Sequence, residues 1–344
     1  MIDSPKLDGK VMVTGGAGYI GSHAVLALLD AGYDVVVVDN LVTGFDWAVD
    51  PRATLVKANV ADDAKVRTAI REHNVRAIMH FAGSVVVPES VSDPLKYYRN
   101  NTGASRALIE SAVVEGVPHF IFSSTAATYG TPEKVPVAEG DPTVPINPYG
   151  MSKLMTEAML RDVAAAHPMN YAALRYFNVA GADPQGRSGQ STVGATHLIK
   201  IAVEAATGKR NHVGVYGTDF DTPDGTGVRD YIHVTDLAAA HVAALAVLVA
   251  EPAKSHTLNA GYGKGFSVLE VLDAVDKVTN MTIDRRLEGR RAGDPGMLIS
   301  DNRAILATLY WTPRHADLDG IVRDALVWER TLAERTRLTS YASR

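Results

Sequence analysis

Tyr149 and Lys153 stand four residues apart in a helical pattern that opens at Asn147-Pro148. That spacing places both side chains on one helix face, one turn apart. A phenol with a pKa of roughly 10 is a poor base at neutral pH, but a neighbouring positive charge favours its phenolate. Lowering the phenol by about 3 units takes roughly 4 kcal/mol of differential stabilisation. Such a tyrosine can take a hydroxyl proton while a hydride leaves the same carbon. A Tyr-x-x-x-Lys pair also arises by chance, as a half-buried tyrosine over a solvated lysine. Here it follows Ser123-Ser124-Thr125, hydroxyls that close an apolar run, where a sugar hydroxyl could lie.

A hydride needs an acceptor, and residues 14–23 offer a place for one. Gly15, Gly18 and Gly21 are spaced G-x-x-G-x-x-G between an apolar run, Val11 to Val13, and a helical one, Ala24 to Leu29. This is the strand, glycine turn and helix order of a dinucleotide site. Glycines let the backbone come close to a pyrophosphate, which then sits on the unpaired N–H groups and positive end of the helix. Asp39 ends the next apolar run, eighteen residues after Gly21. A carboxylate there accepts from the ribose hydroxyls and repels a 2′-phosphate, so the expected cofactor is NAD rather than NADP.

These groups need a scaffold. Strands are expected at 10–14, 34–39, 54–60, 76–81, 119–123 and 171–176, with helices at 21–31, 62–73, 93–115 and 148–167. Regular alternation of this kind predicts an α/β fold, a doubly wound parallel sheet with helices on both faces. Ligands bind such sheets beyond the carboxyl ends of the strands, where Gly15, Asp39, Ala82-Gly83 and Ser123-Ser124-Thr125 fall. After about Asn178 the alternation loosens. A dinucleotide-binding domain over 1–178 is therefore expected, interleaved with a smaller α+β substrate-binding region over 179–344. The stretch Leu237 to Ala250 reads as a buried helix, and Trp328 to Arg344 as a terminal helix fraying into a polar tail.

The 344 residues carry a net charge of -5 and 46% hydrophobic residues, which leaves no basic surface for nucleic acid and no acidic tail. With no cysteine, a disulfide framework and a thiolate metal site are both excluded, and no metal is expected. Neither a secretory leader nor a membrane span is evident, so the expectation is a cytoplasmic protein.

The segments TGGAGYIGSH, HFAGS, FSSTAATYG, PYGMSK, RYFNVAGA, DGTGVRDYIHV and RRAGDP follow in this order over nearly the whole chain. Together they resemble the extended short-chain dehydrogenase/reductase family, with its Rossmann-type sheet, and within it the UDP-glucose (UDP-galactose) 4-epimerases. DGTGVRDYIHV is the most specific of them. The resemblance implies tightly bound NAD, a UDP-sugar substrate, a 4-keto intermediate and Tyr149 as base, with Thr125 bridging and Lys153 beside them. It also implies a homodimer packed through the 93–115 and 148–167 helices.

Carried over by position, Tyr19 and Ile20 approach the pyrophosphate, Asp39 and Asn40 hold the adenosine ribose, and Asn59 and Val60 flank adenine. Phe81, Ala82 and Gly83 line the cofactor, with Asn100 and Phe177 nearby. Asn178 contacts the substrate, and His197 with Leu198 supply pocket backbone. Gly214, Val215 and Tyr216 lie along the uracil, Arg229 and Arg291 clamp the diphosphate, and Asp294 holds the uridine ribose. By themselves the two arginines also read as ordinary surface charges, Arg229 paired with Asp230 or Asp224.

This chain departs from the family pattern at three positions. Asn59 stands where many relatives have aspartate, and Val85 where some have a cofactor-reaching lysine. Leu298 occupies the position that gates the sugar's 2-substituent. A 4,6-dehydratase would carry an acid pair after Thr125, where this chain has Ala126 and Ala127. A 4-epimerase of another UDP-sugar, either a UDP-N-acetylhexosamine or a UDP-pentose, remains open, as does a non-catalytic NAD-binding regulator.

Overall fold

The computed structural model describes residues 7–291 and 294–342, with side chains described as far as residue 335. Residues 292 and 293, inside the RRAGDP segment, lie outside it. Six strands follow the expected alternation: β1 (Lys10–Thr14), β2 (Val35–Asp39), β3 (Thr54–Lys57), β4 (Val75–His80), β5 (His119–Thr125) and β6 (Asn170–Tyr176). Three short strands come next, β7 (Asn178–Ala180), β8 (Val213–Tyr216) and β9 (Val228–His233). The chain then returns to the main sheet with β10 (His256–Ala260), which pairs with β6 in parallel. The seven strands run in the order β3-β2-β1-β4-β5-β6-β10. Residues beyond 178 thus complete the sheet of the first half, and the two regions are interleaved.

Every residue of β2 (Val-Val-Val-Val-Asp) and of β5 is buried. These strands are buried continuously rather than alternately because helices cover both faces. One face packs against α1 (Tyr19–Asp30) and the later helix at 234–250, through Val25, Leu28, Leu237 and Leu245. The other packs against α2 (Asp63–Glu72) and the helices that follow β4 and β5, through Val66, Leu108 and Leu160.

The segment expected as one helix over 93–115 is not uniform. After α3 (Val87–Ser92) it runs as α4 (Pro94–Tyr97), a π-helical stretch over Tyr98–Gly103, and α5 (Ala104–Val114). Sequence periodicity cannot show this widening, because the apolar spacing either side of it still fits an α-helix. The third strand also ends earlier than expected, at Lys57, leaving Asn59 and Val60 in the following turn.

The remaining helices are α6 (Pro148–Ala166), α7 (Leu198–Ala206), α8 (Val234–Ala250), α9 (Val268–Thr279), α10 (Arg303–Leu309) and α11 (Leu318–Ala342). Three more strands, β11 (Gly265–Ser267), β12 (Arg285–Glu288) and β13 (Met297–Leu298), lie outside the main sheet. There β9 pairs with β7, β11 and β13, while β8 pairs with β12. The region has its own apolar core, including Ile199, Val215, Val271 and Ile321. Trp328 is not the start of a fraying tail. It lies in the middle of α11 with its ring buried, where a Cβ on Gly189 would come within 2.3 Å of it. Among the described residues no helix is long and apolar enough to cross a membrane.

Candidate active site

The strand order reverses between β1 and β4, and the crevice of a doubly wound sheet opens at that point. The glycine turn fills it closely. Gly15 has φ +71°, and a Cβ there would come within 2.6 Å of the Ala82 backbone nitrogen. A Cβ on Gly21 would meet the Gly15 carbonyl oxygen at 2.1 Å, so α1 can approach the turn only as glycine. No side chain caps α1 and its first turn carries no acid, which leaves its N–H groups to an anionic ligand. Tyr19 enters this helix with its hydroxyl donating to the Gly181 carbonyl at 2.7 Å, and Ile20 follows it, packed against the core.

Asp39 is buried at the end of β2. Its carboxylate accepts from the backbone N–H of Ala17 (3.0 Å) and of Leu41 (2.8 Å). A carboxylate offers about four acceptor sites, so two remain for ribose hydroxyls. Asn40 is exposed beside it and accepts from Val42. Asn59 is exposed and accepts from the Ala61 N–H, while Val60 is buried. These residues and the uncapped helix fit an NAD-like dinucleotide.

Phe81, Ala82 and Gly83 follow β4, Phe81 and Ala82 against Gly15 and Gly83 against Asn101. Asn100 donates from Nδ2 to Ser84 Oγ (3.2 Å). The buried Asn101, which sequence reasoning did not single out, does more. Its Oδ1 accepts the Ser84 N–H at 2.7 Å, and its Nδ2 donates to the Ser84 carbonyl and to Ser152 Oγ, both at 3.0 Å. The π-helical stretch carries Asn101, so the loop after β4 and α6 are tied together there. Two adjacent asparagines inside a helical pattern were the available signal, since neither favours a helix interior.

Helix α6 begins under an Asn147 cap, with Oδ1 accepting from the Gly150 N–H at 2.9 Å. A Cβ on Gly150 would come within 2.5 Å of the Ala127 carbonyl oxygen, so the glycine lets this helix close onto the end of β5. That approach brings the Tyr149 phenol beside Thr125. Burial pushes the Tyr149 phenol up, and the neighbouring Thr125 hydroxyl opposes it. Lys153 Nζ donates to the Ser123 carbonyl at 2.9 Å over the Phe122 ring. Burial lowers its own pKa to about 8. Its Nζ lies by Gly83, where a Cβ would be 3.9 Å from it, so it borders the cofactor side of the cleft.

Beneath these groups lies a buried ion pair. Glu157, two turns after Tyr149, accepts from Arg175 Nη2 at 2.6 Å and Nε at 2.9 Å, and from Ser124 Oγ. Arg175 also donates to Tyr129, whose hydroxyl reaches Asn259 at 2.7 Å. This clamp holds α6 to β5 and β6. Removing one partner of such a pair leaves a buried charge unmatched. Glu157→Gln is expected to cost about 3 kcal/mol or more of stability, read as a lower urea midpoint. The double variant Glu157→Leu/Arg175→Met is expected to cost less than the sum of its single changes.

The substrate-side residues converge through the small sheet. Asn178 pairs with Tyr231 and Leu298 with Arg229, so β9 lines up Asn178, Arg229 and Leu298. Leu298 and Phe177 pack with Ala126 and Tyr129 beside Thr125, an apolar wall with no place for a dehydratase's acid. Asn178, His197 and Leu198 share one cleft with Tyr19 and Tyr231. Arg229 does not pair with Asp230 or Asp224. It donates to the carbonyls of Val228 (2.9 Å), Gly296 (3.3 Å) and Pro295 (2.7 Å), and burial lowers its pKa against the pull of Asp294. Asp230 is instead a buried hub for Tyr262, Gly263 and Ser300.

Arg291 lies over the Tyr216 ring at 3.6 Å, and Gly214 permits that ring to lie back across the strand. Val215 points into the core with no exposure, so only its backbone could border a uracil. Asp294 is exposed next to this group. Val85 is half exposed where a lysine was absent.

His233, His315 and Asp324 also converge, with their ligand atoms within 4.8 Å of one another. Yet His233 Nδ1 accepts the Thr235 N–H at 3.0 Å, which leaves the ring proton on Nε2, 3.2 Å from Asp324. Both ring nitrogens are committed, so this triad works as a helix cap and strut rather than a metal centre.

Comparison with known proteins agrees with this geometry. The profile of the NAD dependent epimerase/dehydratase family matches residues 11–261. The chain is 52% identical over 334 residues to a UDP-glucose 4-epimerase of Azospirillum brasilense, covering 97% of this chain and 96% of the relative. A crystal structure of UDP-glucose-4-epimerase from Stenotrophomonas maltophila with bound NAD and formylated UDP-arabinopyranose superposes with a TM-score of 0.91. It is 39% identical, over 95% of this chain and 99% of that one. The enzyme from Bifidobacterium longum in complex with NAD+ and UDP has a TM-score of 0.89 at 38% identity, over 94% and 98%. The chain is a member of the NAD dependent epimerase/dehydratase family.

Proposed function

We propose that this protein interconverts UDP-galactose and UDP-glucose by inverting C4 of the sugar, with NAD held throughout. The observation that carries the reading is the placement of the buried Tyr149 beside Thr125 at the carboxyl end of β5, with Lys153 held one turn on by the Ser123 carbonyl, in the crevice that the glycine turn opens. Relatives of 42–52% identity bear the name of this activity, and a solved relative holds NAD+ and UDP together.

Bound NAD+ supplies a reversible hydride acceptor and a positively charged ring that favours phenolate. The chain's own part begins with Tyr149, which takes the proton of the 4-hydroxyl through Thr125 and later returns it. Lys153, held by the Ser123 carbonyl, borders the cofactor. Arg229 has three of its five N–H groups committed to carbonyls, and the other two can bind a diphosphate. Arg291, braced on Tyr216, would clamp from the other side. Binding energy gathered on the nucleotide, remote from C4, lets the sugar turn its other face within the pocket.

Purified protein given UDP-galactose and no added NAD should form UDP-glucose; failure to do so sinks the assignment. The same assay with N-acetylated and pentose UDP-sugars ranks the substrates that pass Leu298. A cytoplasmic homodimer completes the proposal. Leu95 on α4 and Met155 on α6 are apolar and exposed, on the helices expected to pair.

A further inference from the structure

Three segments far apart in sequence meet outside the glycine turn. The first is the loop after β2. Gly44 lies so close to Ala17 that a Cβ would come within 2.8 Å of its carbonyl carbon, and the Phe45 N–H donates to the Ala17 carbonyl at 3.0 Å. The second is the strap over 181–192. It is tied to α1 by the Tyr19 hydroxyl on Gly181, by Ser22 Oγ and Ser188 Oγ at 2.6 Å, and by Arg187 on Asp30 at 2.8 Å. The third is α11, whose Trp328 donates from Nε1 to Ser191 at 3.2 Å and sits flush on Gly189.

Trp47 joins them. Its ring stacks on Phe45 (centroids 5.1 Å apart), meets Trp328 at 6.3 Å, and has the Arg335 guanidinium 5.0 Å over it. A small cleft runs directly under this cluster, bordered by Gly18 and Thr43 on one side and Ser191 and Thr192 on the other. The aromatic contact joins the loop after β2 to α11 across that cleft.

We propose that Trp47, with Trp328 and the 181–192 strap, is a clasp that closes the diphosphate end of the cofactor site and sets how slowly the dinucleotide leaves. The inference rests on the proposed function. An enzyme that lends a hydride and takes it back must keep the same cofactor molecule through both transfers. Leaving requires the loop after β2 to part from α11, which breaks the Trp47 stack and its cation–π contact. Trp47 is a positioning residue, 39% exposed and remote from the Thr125–Tyr149 pair.

The test uses the protein with its resident NAD. Release is followed by trapping free NAD with an excess of an unrelated dehydrogenase and its substrate, read at the NADH absorbance, with no UDP-sugar present. Trp47→Ala is expected to release NAD about tenfold faster, the worth of one aromatic contact with a cation–π partner. Trp47→Phe should restore slow release, and Trp328→Phe, which loses the bond to Ser191 and part of the ring face toward Trp47, should fall between them. With saturating NAD, kcat of Trp47→Ala should equal that of the parent. Release from Trp47→Ala less than about threefold faster than from the parent overturns the clasp while leaving the proposed function standing. A parent protein that purifies without NAD overturns the proposed function itself, and the clasp with it.

Discussion

Tyr149→Phe loses about 10²- to 10⁴-fold in kcat on UDP-galactose, the usual worth of a positioned proton-transfer group, while its affinity for UDP stays at the parent value. The loss is confined to turnover because the phenol oxygen faces Thr125 at the end of β5. The groups aligned on β9 and β13, Arg229 and Leu298, are untouched by the change. The ring itself is buried and packs edge-on to Tyr97 at 6.4 Å, contacts that phenylalanine keeps. Steady-state kinetics with UDP as competitive inhibitor separate the two quantities. Turnover within tenfold of the parent would remove Tyr149 as the proton carrier. The protein by itself holds this phenol protonated, since burial raises its pKa. On the proposed mechanism, the cationic ring of bound NAD+ would supply the lowering.

Mild acid is expected to unfold the protein well before its carboxylates titrate. His23, His80 and His241 are buried, and burial lowers their pKa values to about 4, 3 and 4. In the unfolded chain each returns to roughly 6.5. Between about pH 6.5 and 4 the unfolded state thus binds three protons that the folded state refuses, so stability falls as pH falls. The slope approaches about 4 kcal/mol per pH unit across the middle of that window. Their settings explain the refusal. His80 is wedged between Thr14 (2.7 Å) and Ser105 (2.8 Å), with the Lys153 charge adding to the burial. His23 and His241 each bond a carbonyl one helical turn back and keep Nε2 without a partner. Urea midpoints measured from about pH 7 to about pH 5 check this. A midpoint that stays flat over that range defeats it.

The glycine turn, the acid at the end of the second strand and the Tyr-x-x-x-Lys spacing were legible because each is a local arrangement. A turn that admits only glycine, a helix start without a cap and a four-residue helical spacing depend on neighbours within a few positions, and the strand alternation follows from period and composition. The order of the strands, the return of β10 to the sheet and the π-helical stretch under Asn101 depend on partners scores of residues away. No local pattern contains them.

The same division runs through the site. Sequence alone determined which residue types were present for hydride and proton chemistry: the glycines at 15, 18 and 21, Asp39, Thr125, Tyr149, Lys153 and the arginines at 229 and 291. Only the tertiary structure decided what each does. It set Lys153 on the Ser123 carbonyl, sent Val215 into the core, bonded Arg229 to carbonyls instead of Asp230, and set Trp328 against a loop from the other end of the chain. The physical reason is that a side chain's charge and hydrogen bonds are settled by whichever partners packing brings within about 3 Å. In a sheet with crossover helices, those partners come from distant segments.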